Sequence, residues 1–507
     1  MPPNEPLLDA LDIQGNVLPG FRRRQQRLVG FQGTSEAALK AALRLVLDAS
    51  LTDLSTVLGH KDDRKTAFLA GAPAPARPDL WLNYAIGVRA AEALGLERLK
   101  DLEPAFGAGM PLRAGDTTEP RLPDGSADPT CPANWVVGGP NTPLDLLLIA
   151  AADAEIEALS EPLVEQIEAC GLVRIYAELG AFLPGDKEHF GFQDGISQPG
   201  VLGVIDDRGV QRFLTTRYGV PGALGIEFGK PGQPLLPPDQ FLFGDEEADA
   251  RNGSFLVFRR LTQDVPGFDA GTKAIADTLS RRLGKPVDEN DLRARIVGRF
   301  PSGQPLMRQT AGPTVPEAAL ALNHFAFAGD TPDLVLSSGE RIAGSQGDPL
   351  AQKGARCPIW AHIRKVNPRD MQTNLAGPDE TRARQMLRRG IPFGPSYDRN
   401  NPGHPDNGRE RGLLFLSYQR SISDQFEQLN GNWMNSDIGP MSGGFDLLVG
   451  QRLSDGRHGP KDAQYFDAPS KSFTAIAALE QWVMPTGGEY LFTPSISWTR
   501  RIAAVVA

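Results

Sequence analysis

The sequence predicts an α+β protein made of two halves that are built alike. Along the first 200 residues, short strand-like segments alternate with segments of helical periodicity, and the same alternation returns after residue 253. The chain has 507 residues, of which 40% are hydrophobic and 22% are charged, as in ordinary globular proteins. That length is enough for two or three domains, each with its own core.

Five segments of the first half predict its elements in order. Residues 27–33 (RLVGFQG) are short and apolar-rich, which is typical of a strand, and residues 34–58 carry leucines at helical spacings. Residues 144–152 predict a buried strand because their apolar run is nearly continuous. Helical periodicity returns over 154–170 and stops at a glycine, after which 173–183 predicts another strand.

A stretch rich in proline, glycine and acidic residues separates the two halves. It runs from residue 199 to about residue 253 and contains PGALG, GKPGQPLLPPDQ and FGDEEADARNG, which are typical of surface loops. We therefore expect an N-terminal domain at 1–205 and a C-terminal domain at 206–507.

The second half repeats the pattern without a repeat of short fixed period. We expect strands at 253–261, 358–366, 412–418 and 490–496, and helices within 272–297, 380–388 and 421–434. The order of the strands in a sheet does not follow from this pattern.

Charge, cysteine usage and hydropathy exclude several classes of protein. The 52 Lys and Arg residues and the 62 Asp and Glu residues give a net charge of −10, which argues against nucleic acid or a membrane surface as a partner. Cys131, Cys170 and Cys357 form no CxxC pair, so neither a disulfide framework nor a zinc site is predicted. No secretory signal is visible at the N-terminus, and the apolar runs are far shorter than the roughly 20 residues of a membrane span. We expect a cytoplasmic protein.

The common catalytic templates are missing, and Asp194 is the first candidate that remains. There is no GxSxG, HExxH or GxxxxGK[ST], and no GxGxxG opens a helix after a strand. Asp194 lies in FGFQDGISQP, where Asp-Gly alone predicts a turn. Its neighbours Phe190, Phe192 and Ile196 are apolar, and a carboxylate beside apolar side chains is costly unless something uses it.

His362 is the second candidate. It is one of only six histidines and lies in CPIWAHIRKVNPR, behind Ile359 and Trp360. A buried histidine with satisfied hydrogen bonds is the simplest interpretation. The alternative is an axial metal or haem ligand, because neutral imidazole is the most frequent ligand of this kind.

Arg388 in QMLRRGIPFG is the third candidate. Arginines near a helix end that stops at Gly390 would simply complement the helix dipole. An arginine directed into a pocket would instead offer a fixed positive charge and several donors to an anion or a polarised peroxide.

These segments belong to a set of motifs that resembles the dye-decolorizing peroxidase (DyP-type) family. In chain order the motifs are DIQGNVLPGF, FGFQDGISQP with its GxxDG pattern, PIWAHIRKVNPR, MLRRGIPFG, RGLLFLSYQ, FDLLVGQ and GGEYLFTPSIS. They extend over essentially the whole chain. Its length and long central loops are most similar to the large, late-diverged members of the family.

The resemblance implies roles for two pairs of residues. His362 matches the family's proximal haem ligand, and Asp446 matches the acid that hydrogen-bonds the other ring nitrogen of that ligand. Asp194 matches the acid–base residue on the distal side, and Arg388 matches the essential distal arginine. By itself, Asp446 would be interpreted as a capping residue of a loop.

Three further positions acquire a role only from the resemblance. Leu413 and Phe415 match the apolar pair placed over the haem near the peroxide path, although both otherwise fit core positions of a strand. Arg369 resembles the family's propionate-binding arginine, and a surface arginine is the alternative.

The position at which some relatives carry a surface tyrosine is different here. Five residues after the distal arginine this chain has Phe393, which cannot relay electrons from bulky dyes. Tyr397, Tyr418, Trp360 and Trp433 are the other candidate relays, and each of them also fits a packing role.

The resemblance implies two ferredoxin-like domains with antiparallel sheets, of the dimeric α+β barrel type, and haem b held in the C-terminal domain. It also implies a peroxidase that reduces hydrogen peroxide and oxidises dyes, phenols and similar one-electron donors through an oxoferryl intermediate. A monomer or a homodimer is expected. A deferrochelatase-like haem-processing protein and a non-enzymatic haem carrier remain as alternatives on the same scaffold, although a carrier would need neither Asp194 nor Arg388.

Overall fold

The structure is a computed structural model and describes residues 9–73, 79–117, 128–201, 236–308, 322–323, 325–327, 333–335, 339, 341–342, 350–454 and 457–504. The predicted domain boundary between residues 205 and 206 lies outside the described residues. Over the described ranges, no helix is long and apolar enough to cross a lipid bilayer.

Strands occur in both halves of the chain. The first half has β1 (Gln25–Gln32), β2 (Trp81–Ile86), β3 (Leu146–Ala152) and β4 (Val173–Ala181). The second half has β5 (Ser254–Gln263), β6 (Leu334–Val335), β7 (Arg341–Ile342), β8 (Leu387–Arg388), β9 (Ile391–Phe393), β10 (Gly412–Gln419), β11 (Leu453–Ser454), β12 (Arg457–His458), β13 (Lys461–Asp467), β14 (Ser472–Ala478) and β15 (Val483–Thr493).

Nine strands form one antiparallel sheet, in the order β5-β15-β2-β3-β1-β4-β9-β10-β8. Because β5 also pairs with β10, eight of these strands close into a barrel, and β8 is attached to β10. Each half contributes four barrel strands in the same order, β2-β3-β1-β4 and β9-β10-β5-β15. This is the order of a βαββαβ ferredoxin-like unit. The predicted α+β class with two similar antiparallel halves is therefore confirmed.

The two halves meet at narrow seams. One register pair, Ile86 with Phe492, joins β2 to β15, and one pair, Gly180 with Phe393, joins β4 to β9. A side chain at Gly180 would not fit, since its Cβ would lie 2.4 Å from the side chain of Ile391.

The barrel has a core inside and a second core between its outer face and the helices. Successive residues of β1 alternate between them: Leu28 joins the inner core with Trp81, whereas Val29 and Phe31 pack outward. Both faces of β3 are covered, which explains why its sequence LLLIAAA is buried at every position.

Most of the helices pack outside the barrel, whereas Leu54, Val57 and Leu58 of the second helix join the inner core. The helices are α1 (Glu36–Asp48), α2 (Leu54–Leu69), α3 (Val88–Ala93), α4 (Leu99–Leu102), α5 (Pro104–Ala108), α6 (Met110–Thr117), α7 (Ile156–Ala169), α8 (Val265–Leu283), α9 (Glu289–Val297), α10 (His362–Val366), α11 (Pro378–Ala383) and α12 (Ile496–Ala504). A π-helix spans Ile422–Met434, and short 3₁₀ turns lie at Pro132–Asn134, Pro184–Asp186, Pro238–Gln240 and Pro405–Gly408.

Most predicted elements are confirmed, but the helix predicted over 34–58 is two helices, α1 and α2. Ser50 has a φ of 69°, a left-handed conformation that ends α1. Leu51 then bridges to Leu82 of β2, a strand that the sequence did not reveal. The last predicted strand also differs in extent, because β15 begins at Val483 and Ile496 already belongs to α12.

Two predictions beside the candidate site are wrong, one in the type of element and one in its extent. The strand predicted over 358–366 is a turn followed by α10, and the helix predicted over 380–388 ends at Ala383. Arg388 lies in β8, because this segment pairs with Ser417 and Tyr418 of β10. In both cases the deciding partners are distant in the sequence, and local periodicity cannot reveal them.

Candidate active site

His362 is the first residue of α10, and its ring is held through one nitrogen. Its Nδ1 lies 2.7 Å from Oδ2 of Asp446, so the ring donates a hydrogen bond to the carboxylate. The His362 side chain remains 29% exposed, whereas Asp446 is completely buried. We call His362 and Asp446 the proximal pair.

Three donors keep Asp446 ionised. Its Oδ1 accepts hydrogen bonds from the backbone N–H groups of Leu448 (2.9 Å) and Val449 (3.1 Å), and its Oδ2 faces the ring. Burial by itself would raise the pKa of Asp446. The charge and hydrogen bond of His362, the Val449 N–H and the charge of Lys461 together outweigh it, so the pKa lies below its ordinary value.

This arrangement determines which imidazole nitrogen is available. A carboxylate that accepts from Nδ1 fixes the proton there and leaves the lone pair on Nε2. Within the part of the chain that the structure describes, Nε2 of His362 has no hydrogen-bond partner. The ring can therefore bind a metal ion through Nε2.

Arg388 in β8 is held by the loop that follows Asp194. Its backbone N–H donates to Oε1 of Gln198 at 3.0 Å, and Nε2 of Gln198 donates back to the Arg388 carbonyl at 2.9 Å. The guanidinium donates to the carbonyl of Ser197 at 2.5 Å. Burial lowers the pKa of Arg388, and the charge of Asp194 opposes this shift, so the two side chains are close enough to interact. We call Asp194 and Arg388 the distal pair.

Asp194 itself is exposed, and its Oδ1 accepts the N–H of Gly195 at 2.6 Å. Gly195 has a φ of 66°, which favours glycine and fits the predicted turn. The structure thus places the loop that carries the candidate acid–base residue against the strand that carries the candidate arginine.

The distal loop is the segment from Glu188 to Gln198. Glu188 fixes its start and was missed in the sequence analysis. Its carboxylate accepts the N–H groups of Phe190 and Phe192, each at 2.9 Å, and the amide of Gln263 at 2.7 Å. Burial raises the pKa of Glu188, and the charge of Asp194 adds to that rise. A second carboxylate six residues before Asp194 was the only signal in the sequence.

Leu413 and Phe415 share a face of the sheet with Arg388. Both lie on β10, two residues apart, and Ser417 on the same face pairs with Arg388. Both side chains are half-buried, and the Phe415 ring lies 6.3 Å from that of Phe426 in the π-helix. The alternate residues of β10 belong to the core inside the barrel.

Arg369 is buried instead of lying on the surface. Its guanidinium donates to the carbonyls of Asn323 and Phe325, each at 2.9 Å, and stacks 3.6 Å from the centre of the Phe325 ring. Burial lowers the pKa of Arg369, and the charge of Arg299 lowers it further. Burial, together with the charge of Arg388, lowers the pKa of Arg299 to about 10. These three arginines form a cluster, of which Arg299 was not found in the sequence.

Arg389 directly follows Arg388, and its side chain points to the opposite face of the sheet. Its guanidinium donates to the carbonyls of Asn16 (3.1 Å) and Val17 (2.9 Å), in the N-terminal motif QGNVLPG. Gly20 of that motif leaves room for it, since a Cβ there would lie 2.2 Å from Cδ of Arg389. The N-terminal segment therefore holds the strand that carries the distal arginine.

Among the candidate relay residues, only Tyr397 is not fully enclosed. It is half-buried, with the guanidinium of Arg411 5.1 Å from its ring centre. Tyr418, Trp360 and Trp433 are each 0% exposed. Their packing role is therefore evident.

Comparison with known proteins identifies the family of this chain. A family model described as "Dyp-type peroxidase, C-terminal" matches residues 236–440, which include His362 and Arg388. A dye-decolorizing peroxidase from Mycetinis scorodonius is 29% identical, over 98% of this chain and 88% of its own length. The chain belongs to the Dyp-type peroxidase family. The solved structure of an ancestral D-type dye-decolorizing peroxidase superposes on this Dyp-type peroxidase with a TM-score of 0.72 and 28% identity, over 97% and 99% of the two chains.

Membership of the family makes the protein a haem-dependent peroxidase. A match to the deferrochelatase of Yersinia pestis is 35% identical but spans only 97 residues, which are 18% of this chain and 19% of that protein. Because this match is short, it gives no separate support to the chelatase alternative for this Dyp-type peroxidase.

Proposed function

We propose that this Dyp-type peroxidase binds haem b with His362 as the axial ligand, consumes hydrogen peroxide and oxidises phenols, dyes and similar one-electron donors. The observation that carries this proposal is the proximal pair: Nδ1 of His362 donates to a buried carboxylate at 2.7 Å while Nε2 is left available. When bound, the haem supplies the redox chemistry, and the protein supplies binding, orientation and electrostatics.

The donor set fits a haem iron. Neutral imidazole is a common axial ligand of haem, and a carboxylate on its other nitrogen makes the ligand more basic. The buried arginines 299 and 369 fit the carboxylate groups at the edge of a porphyrin, because a cluster of like charges is stabilised by anions. Leu413 and Phe415 would offer an apolar surface next to the path of the peroxide.

The distal pair can handle the proton and the charge of the peroxide. Asp194, as an exposed carboxylate, can take a proton from one peroxide oxygen and return it to the leaving oxygen, directly or through a water molecule. Negative charge that develops on the leaving oxygen would be stabilised by Arg388, which the contacts with Ser197 and Gln198 hold in place.

Small donors fit this enzyme better than bulky dyes. Phe393 is buried and carries no group that can be oxidised at the surface, and the three enclosed candidate relays are 0% exposed. We therefore propose that small phenols are the better reductants and that a large dye depends on Tyr397.

A spectroscopic experiment tests the proposal. The haem-loaded protein should give a ferric Soret band. The band should change when one equivalent of hydrogen peroxide is added and return when a phenol is added. His362→Ala should abolish haem binding or this conversion, whereas His404→Ala, which alters a histidine with a 40% exposed side chain, should leave both unchanged. A spectrum that peroxide only bleaches, or haem retention with normal conversion in His362→Ala, would refute the proposal.

A further inference from the structure

Two lysines are completely buried beside the proximal pair, Lys365 in α10 and Lys461 at the start of β13. Burying an ammonium ion is costly unless hydrogen bonds and opposite charges compensate for the lost hydration. Lys365 has such compensation, because its ammonium group donates to the carbonyls of Ser436 (2.6 Å), Gly439 and Gly444 (2.8 Å). Its three donors are used, and it ties α10 to the loop that leads to the proximal carboxylate.

Lys461 has fewer described hydrogen-bond partners than Lys365. Its Nζ donates to the carbonyl of Leu447 at 2.7 Å and lies 5.1 Å from the centre of the Trp482 ring. An ammonium group has three donors, so the described hydrogen bond accounts for one of them. Burial lowers the pKa of Lys461 to about 7, and the charge of Asp446 opposes that shift. The hydrogen bond to Leu447, the residue after Asp446, holds the ammonium group near that carboxylate, which supplies an opposite charge.

The backbone brings Lys461 to this place. The segment before Asp446 runs beside β13, where the N–H of Phe445 donates to the Asp462 carbonyl at 2.9 Å and Gly444 bridges to Ala463. Gly444 leaves no room for a side chain, since its Cβ would lie 2.4 Å from Cα of Ala463. The carboxylate and the ammonium group are consequently held by two segments that cannot move apart easily.

We propose that Lys461 is a positioning residue that sets the charge of the proximal pair: its ammonium group partly neutralises the Asp446 carboxylate and so limits how strongly Asp446 attracts the Nδ1 proton of His362. Charges in a water-free interior interact strongly without direct contact. A weaker pull on Nδ1 makes His362 a less anionic ligand, which raises the ferric–ferrous midpoint potential of a bound haem. This inference rests on the proposed role of His362 as the iron ligand.

Removal of the lysine should act through the charge of Asp446 and not through its protonation. Asp446 keeps the hydrogen bonds from the His362 ring and from the two backbone N–H groups when Lys461 is replaced. The carboxylate therefore stays ionised, and its uncompensated charge pulls harder on the Nδ1 proton.

The test is a spectroelectrochemical titration of haem-loaded wild type, Lys461→Met, Lys461→Gln and Lys461→Arg at pH 6, where the lysine is mostly charged. Both neutral variants should have a lower midpoint potential than wild type and a higher iron–histidine stretching frequency by resonance Raman spectroscopy. Lys461→Arg should remain near wild type. Lys353→Met is the control, because it removes one exposed lysine from the same domain.

Two readouts separate the possible failures. Wild-type or raised potentials in Lys461→Met and Lys461→Gln would overturn the proposal, and so would loss of haem uptake in both, since the lysine would then serve folding. If only one neutral variant folds, that variant decides. If His362→Ala retains the iron–histidine stretch, the ligand assignment fails instead, whatever the lysine variants do.

Discussion

Asp194 and Arg388, the distal pair, lie in different environments. The carboxylate of Asp194 is exposed and has one local N–H donor, whereas Arg388 is half-buried and its guanidinium donates to the carbonyl of Ser197. Burial lowers the pKa of Arg388, but an arginine stays protonated in proteins. Only Asp194 can therefore exchange a proton, and Arg388 provides a fixed positive charge.

This division of roles predicts how the two variants react with peroxide. Asp194→Asn should slow the peroxide-dependent spectral change by roughly 10²–10⁴-fold, the usual contribution of a general acid–base. Arg388→Leu should slow it by about 10²–10³-fold through loss of charge stabilisation. Stopped-flow absorbance measures both rates, and haem uptake should remain normal.

The matched control for the carboxylate is Asp245→Asn, which alters an aspartate with an 86% exposed side chain. Its rate should equal that of wild type. If either distal variant also reacts at the wild-type rate, the assignment of that residue is wrong.

At the scale of elements, hydrogen bonds hold the distal loop at both ends. Glu188 holds the N–H groups of Phe190 and Phe192 at the start, and Gln198 exchanges two hydrogen bonds with Arg388 at the end. Hydrogen bonds to a charged acceptor contribute roughly 1.5–3 kcal/mol each. The position of Asp194 therefore depends on a residue that does not touch the peroxide.

Glu188→Ala should loosen this loop without removing the distal pair. We expect faster hydrogen exchange of the amides at 190–195 and about a tenfold slower reaction with peroxide, because ~1.4 kcal/mol of lost positioning corresponds to tenfold in rate. Hydrogen-exchange mass spectrometry and stopped-flow absorbance measure the two effects. The control is Glu157→Ala on the exposed side of α7. Unchanged exchange at 190–195 would mean that the loop does not need this carboxylate.

Local patterns predicted elements whose partners are close in sequence, and failed where distant partners decide. Helix α7 and strand β3 have clear periodicity and were predicted within two residues at each end. In contrast, α10 begins with His362 after a turn, and β8 exists because Arg388 faces Ser417. The proximal and distal pairs were predicted from motifs, whereas Glu188, Arg299 and Lys461 were not, since their roles depend on burial and on long-range contacts.

At the scale of the whole molecule, ion pairs strengthen the narrow seam between β4 and β9. Arg260 of β5 binds Glu178 of β4 at 2.7 Å and Glu410 at 2.9 Å, and its guanidinium lies 4.4 Å from the centre of the Phe393 ring. Only 4% of its side chain is exposed. A buried pair of this kind is costly to break, because the remaining partner is left without compensation.

The opposite seam contains a carboxylate that should make stability depend on pH. Glu489 of β15 accepts the N–H of Met110 in α6 at 3.2 Å and that of Tyr490 at 2.9 Å. Burial raises the pKa of Glu489 to about 7, although both N–H groups oppose the shift. Between its unfolded pKa of roughly 4.3 and this value, the folded protein holds a proton that the unfolded chain has released. The stabilisation from this proton is complete below pH 4 and is lost as the pH rises through 7.

Glu489→Gln should remove this loss, since glutamine keeps an acceptor for both N–H groups and does not titrate. The free energy of unfolding of wild type should fall relative to that of Glu489→Gln by on the order of 3 kcal/mol between pH 4.5 and pH 7.5. Urea unfolding of the haem-loaded proteins at both pH values measures the difference. Glu480→Gln, which alters an exposed glutamate close to β15, should follow wild type. If Glu489→Gln follows wild type as well, the carboxyl group is ionised in the folded protein, and the contact between β15 and α6 tolerates a buried negative charge near the Arg89–Asp145 ion pair.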